Sequence, residues 1–261
     1  MNERFIPFDN IHNFRDFGRR ATTAGGRLPA QRLYRSAHLG DATQADIERF
    51  ASLDIALLLD LRRVEERQAK PSRRPAGFRG TVIERDDHSE IGAESATFSM
   101  ITQPDISEAA LRDMMTEIYR GFPFEEGLVS AYRGFLHRVT ETPGPILIHC
   151  AAGKDRTGFF VALIQRLLGV HEDERLEDYL LTNEWARSPA RIADFIAYLK
   201  KTYTINILEN RLGIILGVEP AYLAASFAAI DAKFGSAEAY AEAVLGVTPA
   251  HREKLYRRLV E

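Results

Sequence analysis

The chain has 261 residues, of which 45% are hydrophobic and 27% are charged, and its formal net charge is −3. This composition is ordinary for a globular protein with a large core, and the weak charge argues against a nucleic-acid-binding protein. A single cysteine excludes an intramolecular disulfide framework. The apolar stretches are too short to span a bilayer and no cleavable signal is visible, so we predict a soluble protein, cytoplasmic by default, with signal-independent secretion left open.

The first half of the chain predicts strands that alternate with helices. Residues 32–36, "RLYRS", have the pattern of a short strand, and residues 41–54 have that of a helix in which Thr43 and Asp46 have capping-box spacing. Residues 55–62, "IALLLDLR", form a continuous apolar run, which is typical of a strand buried on both faces of a sheet. A further strand is predicted over residues 81–85.

The polar region from residue 86 to residue 116 predicts a loop that leads into a helix, and a second helix is predicted over residues 125–139. We expect residues 88–130 to form a lid insertion that packs over the functional site. The alternative is that its apolar side chains simply complete the core. These side chains are Leu111, Met114, Met115, Ile118, Tyr119 and Phe122.

A last buried strand, residues 146–148, ends at His149 and is followed by a loop and then, after Gly158, by an apolar helix. Residues 173–261 are predicted to be helical. This order favours an α/β fold, with a central, mostly parallel sheet flanked by helices, a helical lid and a helical C-terminal part. We predict a single domain over residues 1–261.

The stretch "HCAAGKDRTG", residues 149–158, joins that strand to that helix, and we refer to residues 150–156 as the cysteine loop. A strand-loop-helix junction directs backbone N–H groups and a helix N-terminus at one spot, which makes an anion site. Gly153 allows a tight turn, and Arg156 suits bidentate phosphate recognition. A positive environment favours the thiolate of Cys150, which would attack a bound phosphorus and form a phosphocysteine that water later hydrolyses.

These residues resemble the signature of the cysteine-dependent protein tyrosine phosphatase superfamily. The loop is most similar to that of the bacterial atypical, triple-specificity phosphatases of the PtpB and LipA type, and "NFRDFG", "RLYRS", "DLR", "YRGFP" and "DYLLTNE" extend the resemblance. It implies that Cys150 is the nucleophile and that Arg156 binds the phosphate and stabilises the transition state. The implied phosphate cradle consists of Ala151, Ala152, Gly153, Lys154, Asp155 and Arg156.

The resemblance also implies supporting residues. His149 would orient the loop, and Thr157 would donate a hydrogen bond to the sulfur; the alternatives are a buried histidine and a helix-capping hydroxyl. Asp60 is a candidate from its position rather than from the resemblance: it ends a buried strand, at the carboxyl edge of a parallel sheet, and would orient Arg156 or the loop. A structural salt bridge is equally open. For the pair Arg15 and Asp16, we expect a buried ion pair, and a role in the site is the alternative.

The leaving group needs a proton, which a carboxylic acid would supply. The candidates are Asp86 and Asp87, which follow a predicted strand, and Asp155 in the loop. We favour Asp87, and we treat Asp155 as an acid or a water-positioning residue. A solvated loop carboxylate is the alternative for Asp86 and Asp87.

We therefore predict a phosphatase that hydrolyses phosphotyrosine, with phosphoserine, phosphothreonine and phosphoinositides as further substrates. Lys154 is expected at the rim of the loop, where another cation would favour polyphosphorylated head groups. No cofactor, metal ion, nucleic acid or stable membrane insertion is expected, and the partner is a phosphorylated protein or a phosphoinositide. The alternatives are a phosphoinositide-preferring lipid phosphatase, a non-catalytic phospholigand-binding pseudophosphatase, and another thiol enzyme such as a sulfurtransferase or an arsenate reductase.

Overall fold

The computed structural model describes residues 3–88, 106–189, 191–193, 196–197 and 209–261. Its centre is a five-stranded sheet in the order β1-β2-β5-β3-β4. The edge strand β1 runs antiparallel to β2, and the other neighbours are parallel, so the predicted fold class is confirmed. The strands are β1 (Arg15–Asp16), β2 (Leu33–Ser36), β3 (Leu57–Asp60), β4 (Thr81–Glu84) and β5 (Ile146–His149).

Helices surround this sheet. They are α1 (Gln44–Ser52), α2 (Val64–Ala69), α3 (Glu108–Gly121), α4 (Glu126–Val139), α5 (Asp155–Leu167), α6 (Glu172–Leu180), α7 (Thr182–Ala186), α8 (Glu209–Leu216), α9 (Pro220–Phe234), α10 (Ala237–Leu245) and α11 (Pro249–Leu259). The capping box of Thr43 and Asp46 is present at the start of α1. One prediction is wrong: α5 begins at Asp155 and not after Gly158. A carboxylate is favourable in a first helical turn, and this outweighs the low helix propensity of Gly158.

The core lies on both faces of the sheet. Along β5 the side chains alternate, so that Ile146 and Ile148 join the large cluster formed with α4, α5 and α9, whereas Leu147 joins a smaller cluster with Phe50 of α1. Leu58 of β3 also faces the smaller cluster. This two-sided burial is why β3 and β5 are almost continuously apolar.

The parallel strands end level with each other. Ser36 of β2 and Asp60 of β3 both stand opposite His149 of β5 in the strand register. The chain segments that leave these strands therefore start at one edge of the sheet, which is where open parallel sheets bind their ligands.

The predicted lid is described in part. Residues 89–105 lie outside the described residues, whereas α3 packs along α9 and buries Leu111, Met115 and Tyr119. The division into one domain, a lid insertion and a helical C-terminal part stays a prediction. Within the described ranges, every helix is too short or too polar to cross a membrane.

Candidate active site

The cysteine loop lies between the end of β5 and the start of α5. Cys150 directly follows the buried strand, and its residue surface is only 2% exposed. Five residues later the chain is already helical, and the first turn of α5 contains both Asp155 and Arg156. The thiol therefore lies near a helix N-terminus, whose partial positive charge favours anions.

Gly153 lets the loop approach β2 closely. Its φ is +63°, and a Cβ atom at this position would lie 2.2 Å from the carbonyl oxygen of Ser36. Both the backbone conformation and the contact exclude a side chain. The glycine that sequence analysis assigned to a tight turn therefore sets the distance between the loop and the end of β2.

The carbonyl groups of the loop are bound from outside. The amide of Asn13 donates hydrogen bonds to the carbonyl oxygens of Ala152, at 3.2 Å, and Gly153, at 3.0 Å. Arg35 donates another to the oxygen of Gly153, at 3.0 Å. In a trans peptide the C=O and N–H groups point in opposite directions, so this arrangement turns the following N–H groups to the other side. Such a loop can present N–H donors to an anion.

A buried ion-pair network holds Arg35, which donates to the carbonyl oxygen of Gly153. Asp178 of α6 binds Arg35 at 2.8 Å and Arg15 at 3.4 Å, and all three side chains are buried. Burial alone would raise the pKa of Asp178, but the charges of the two arginines outweigh it and lower the pKa. The expected buried ion pair of Arg15 is thus formed with Asp178 rather than with Asp16.

Glu66 holds Arg156. The two carboxylate oxygens of Glu66 accept hydrogen bonds from Nη1 and Nη2 of Arg156 at 2.6 and 2.7 Å, and the carbonyl oxygen of Leu61 accepts a third at 3.1 Å. Burial acts to raise the pKa of Glu66, but the charge of Arg156 outweighs it and lowers the pKa. The bidentate pair fixes the plane of the guanidinium group.

Glu66 is not among the residues that the sequence patterns predict for the site. The available signal was its position in "DLRRVEE", in the first turn of a helix that follows a strand ending at the ligand edge. Its carboxylate also accepts the backbone N–H of Arg63 at 2.8 Å, which is one half of a capping box. The pairing with Arg156, 90 residues away, could not be read from this local pattern.

Asp60 makes no hydrogen bond or ion pair with Arg156 among the described residues, so of the two predicted roles, orienting Arg156 or the loop, its contacts favour the loop. Its carboxylate binds Arg62 at 2.7 and 2.9 Å, and lies 3.6 Å from Nε2 of His149. Burial lowers the pKa of His149 and the charge of Asp60 opposes this shift. The geometry retains two of the predicted roles for Asp60, a structural salt bridge and a contact with the residue that precedes Cys150.

Asp87 lies against the first turn of α4 and pairs with the buried Arg85 through two hydrogen bonds. Burial acts to raise the pKa of Asp87, but the hydrogen bonds and charge of Arg85 outweigh it and lower the pKa. This environment favours the carboxylate over the protonated form that a general acid needs. Asp86 is exposed. The assignment of the acid stays a prediction.

Asp155 and Lys154 are held by neighbouring helices. Asp155 accepts a hydrogen bond from the hydroxyl group of Tyr119 at 2.8 Å. The expectation that Lys154 adds charge at the rim is wrong, because the residue is only 6% exposed and its amine donates to the carbonyl oxygens of Ile215 and Gly217, at the end of α8. The lysine is drawn inward because these carbonyls have no partner within their own helix.

The hydroxyl group of Thr157 is buried and has no hydrogen-bond partner within the described part of the chain, so the expected bond to the sulfur of Cys150 is not formed. The described residues contain no group of three or more histidine, cysteine or acidic side chains that could hold a metal ion.

Comparison with known proteins agrees with this geometry. The model of a family described as the tyrosine phosphatase family matches residues 6–261. The chain belongs to the tyrosine phosphatase family. The predictions of this family and of a protein-tyrosine-phosphatase-type hydrolase are therefore confirmed.

Two relatives in the tyrosine phosphatase family align over most of the chain. A Cupriavidus necator protein provisionally named a tyrosine-protein phosphatase is 32% identical over 249 residues, which cover 94% of this chain and 85% of the relative. The triple specificity protein phosphatase PtpB of Mycobacterium tuberculosis is 34% identical over 257 residues, which cover 87% and 89%. The solved structure of TpbA from P. aeruginosa has 17% identity and a TM-score of 0.31, over 73% of this chain and 89% of TpbA.

Proposed function

We propose that the protein hydrolyses phosphotyrosine through a phosphocysteine intermediate. The observation that carries this proposal is the position of Cys150, at the base of a loop whose carbonyl groups are bound from outside and whose Arg156 is fixed by Glu66. Such a loop offers N–H donors and a bidentate cation to the three non-bridging oxygens of a phosphate group.

In the first step the sulfur of Cys150 would bond to phosphorus while the bond between phosphorus and the phenolic oxygen breaks. The departing oxygen takes a proton from a carboxylic acid, for which Asp87 stays our candidate because it follows β4. Asp87 would have to leave its pairing with Arg85 to carry that proton. In the second step water bonds to phosphorus, the phosphorus–sulfur bond breaks, and the thiolate is restored. Arg156 would stabilise the charge on the phosphoryl oxygens in both transition states.

The test uses a phosphotyrosine peptide labelled with ³²P, with EDTA present. We expect the wild-type protein to turn over and to yield a labelled, acid-trapped intermediate, and we expect Cys150→Ser to lose at least about a thousandfold in rate and all of the label. A circular dichroism spectrum equal to that of the wild type serves as the folding control. Turnover by Cys150→Ser, or activity that disappears with EDTA, would contradict the thiol mechanism.

For substrate range, we propose phosphotyrosine first, then phosphoserine and phosphothreonine. The support is the triple-specificity name of the mycobacterial relative. Phosphoinositides rank lower, because the amine of Lys154, which was the reason to expect polyphosphorylated head groups, is bound to backbone carbonyls.

Initial rates on a phosphotyrosine peptide and on phosphatidylinositol monophosphates decide this order. A higher rate on the lipid would favour the lipid phosphatase, and binding of the peptide without turnover would favour the pseudophosphatase. Location in the cytoplasm stays a prediction, which fractionation of the source cells would check.

A further inference from the structure

Two buried tyrosines form a chain of hydrogen bonds that ends at the carboxylate of Asp155. The hydroxyl group of Tyr179, in α6, donates a hydrogen bond to that of Tyr119 at 2.8 Å, and Tyr119, in α3, donates to Oδ1 of Asp155 at 2.8 Å. Both tyrosines are fully buried. Helix α3 and the consecutive helices α5 and α6 thus meet at the second half of the cysteine loop.

The direction of these hydrogen bonds is fixed. An ionised carboxylate only accepts, so Tyr119 gives its proton to Asp155 and receives that of Tyr179. Burial, reinforced by the charge of Asp155, raises the pKa of both tyrosines well above the ordinary value. Tyr119 therefore stays a donor at any pH at which a phosphatase assay is run.

The other oxygen of Asp155 also faces a donor. The ammonium group of Lys154 lies 3.4 Å from Oδ2, and the side chain of Asp155 keeps 25% of its surface exposed. Its two oxygens offer about four acceptor positions, of which the hydroxyl group of Tyr119 occupies one, and the ammonium group adds an ion pair. Asp155 thus has one hydrogen-bond donor and one cation beside it, is open to water, and directly precedes Arg156.

We propose that Tyr119 is a positioning residue that holds Asp155 as the base of the second chemical step. This inference rests on the proposed phosphocysteine mechanism. The water oxygen bonds to phosphorus, the phosphorus–sulfur bond breaks, and the electron pair returns to Cys150 as a thiolate. The proton of the water goes to Asp155, which later releases it to solvent, and the product is inorganic phosphate. The first step makes no use of Asp155 in this scheme.

The matched control is Tyr222→Phe. The ring centroid of Tyr222 lies 5.6 Å from that of Tyr119, and its hydroxyl group is buried but has no hydrogen-bond partner among the described residues. Tyr119→Phe and Tyr222→Phe therefore remove the same group from neighbouring rings, and only the first removes a donor to Asp155.

The experiment is a rapid-quench single turnover, with full-length enzyme in excess over p-nitrophenyl [³²P]phosphate, whose leaving group needs little protonation. The rise of labelled phosphocysteine gives the rate constant of its formation, and the fall gives that of its hydrolysis. For Tyr119→Phe we expect hydrolysis about tenfold slower and formation within about twofold of wild type. Tyr222→Phe should match wild type in both.

A double-mutant comparison adds a readout that a purely structural role would not move. Asp155→Asn should slow hydrolysis more than Tyr119→Phe does, and adding Tyr119→Phe to it should cause no further loss. Equal losses in formation and hydrolysis, or hydrolysis by Tyr119→Phe at the wild-type rate, would overturn the inference. If the wild-type protein itself forms no phosphocysteine, the proposed function fails, and this inference fails with it.

Discussion

At the residue scale, the proposed binding of phosphate by Arg156 depends on its contact with Glu66. An arginine side chain that must meet phosphate needs one fixed orientation, and the two parallel hydrogen bonds from Glu66 give it that orientation before the substrate arrives. Leu61 fixes the same guanidinium group through its carbonyl oxygen.

Glu66→Gln tests this orientation. Glutamine keeps the size of the side chain but offers one acceptor oxygen and no charge, so we expect kcat/KM for a phosphotyrosine peptide to fall by about ten- to a hundredfold. The neighbouring Glu65→Gln is the control, because Glu65 pairs with the exposed His88 on the surface. Equal activity of both variants would show that Arg156 finds its orientation without Glu66.

At the scale of helices and strands, local sequence patterns predict some features of the protein and not others. Strands β3 and β5 could be predicted because each is buried on both faces and is therefore continuously apolar. The cysteine loop could be predicted because its residues are contiguous. The roles of Glu66 and Tyr119 could not, because each reaches the loop from a different helix and no local pattern encodes that approach.

Lys154 shows the same limit. A lysine in a glycine-containing loop suggests an exposed cation, but the C-terminus of α8 offers unpaired carbonyls within its reach. Instead of adding charge to the surface, Lys154 thus connects the cysteine loop to the segment between α8 and α9 through hydrogen bonds. The chemical identity of the residue was visible in the sequence, whereas the direction of its side chain depended on a helix about 60 residues away.

Lys154→Met should loosen this connection. Methionine fills the space without a donor, so the buried carbonyls lose their partner and the free energy of unfolding should fall by about 1–3 kcal/mol. Hydrogen exchange measured by mass spectrometry should be faster at the end of α8 and across Gly217 and Val218. The exposed Lys254→Met, on α11, is the control. Unchanged exchange at the end of α8 would argue that the lysine does not hold the two elements together.

At the scale of the whole molecule, the partly buried His38 links stability to pH. The backbone N–H of His38 binds the carbonyl oxygen of Ala151, and its Nδ1 accepts the backbone N–H of Gly40 at 3.0 Å. Burial, with the charge of Arg62, lowers the pKa of His38 to about 4. Protonation of Nδ1 would remove this acceptor, so the folded protein resists it more strongly than the unfolded chain does.

The lowered pKa of His38 makes the folded protein less stable as the pH falls. The unfolded pKa of histidine is about 6.5, so the contribution of His38 is complete above that pH and is lost as the pH falls from about 6.5 to about 4. His38→Asn retains an acceptor and does not titrate. Urea unfolding should show a pH slope in this window that is smaller than in wild type, by at most about 1.4 kcal/mol per pH unit. Identical slopes would contradict the assignment, and the range from pH 7 to 8, where the slopes should agree, is the internal control.

The chain carries a single sulfhydryl group, and it is the one that follows β5. A thiol-specific reagent can therefore label only one position, and on the proposed mechanism that label abolishes turnover. Because Cys150 is only 2% exposed, the rate at which the label is incorporated measures how readily the reagent reaches this one site. An oxidised Cys150 likewise has no second thiol in the chain with which to condense, so its recovery depends on a reductant from outside or on a backbone nitrogen beside it.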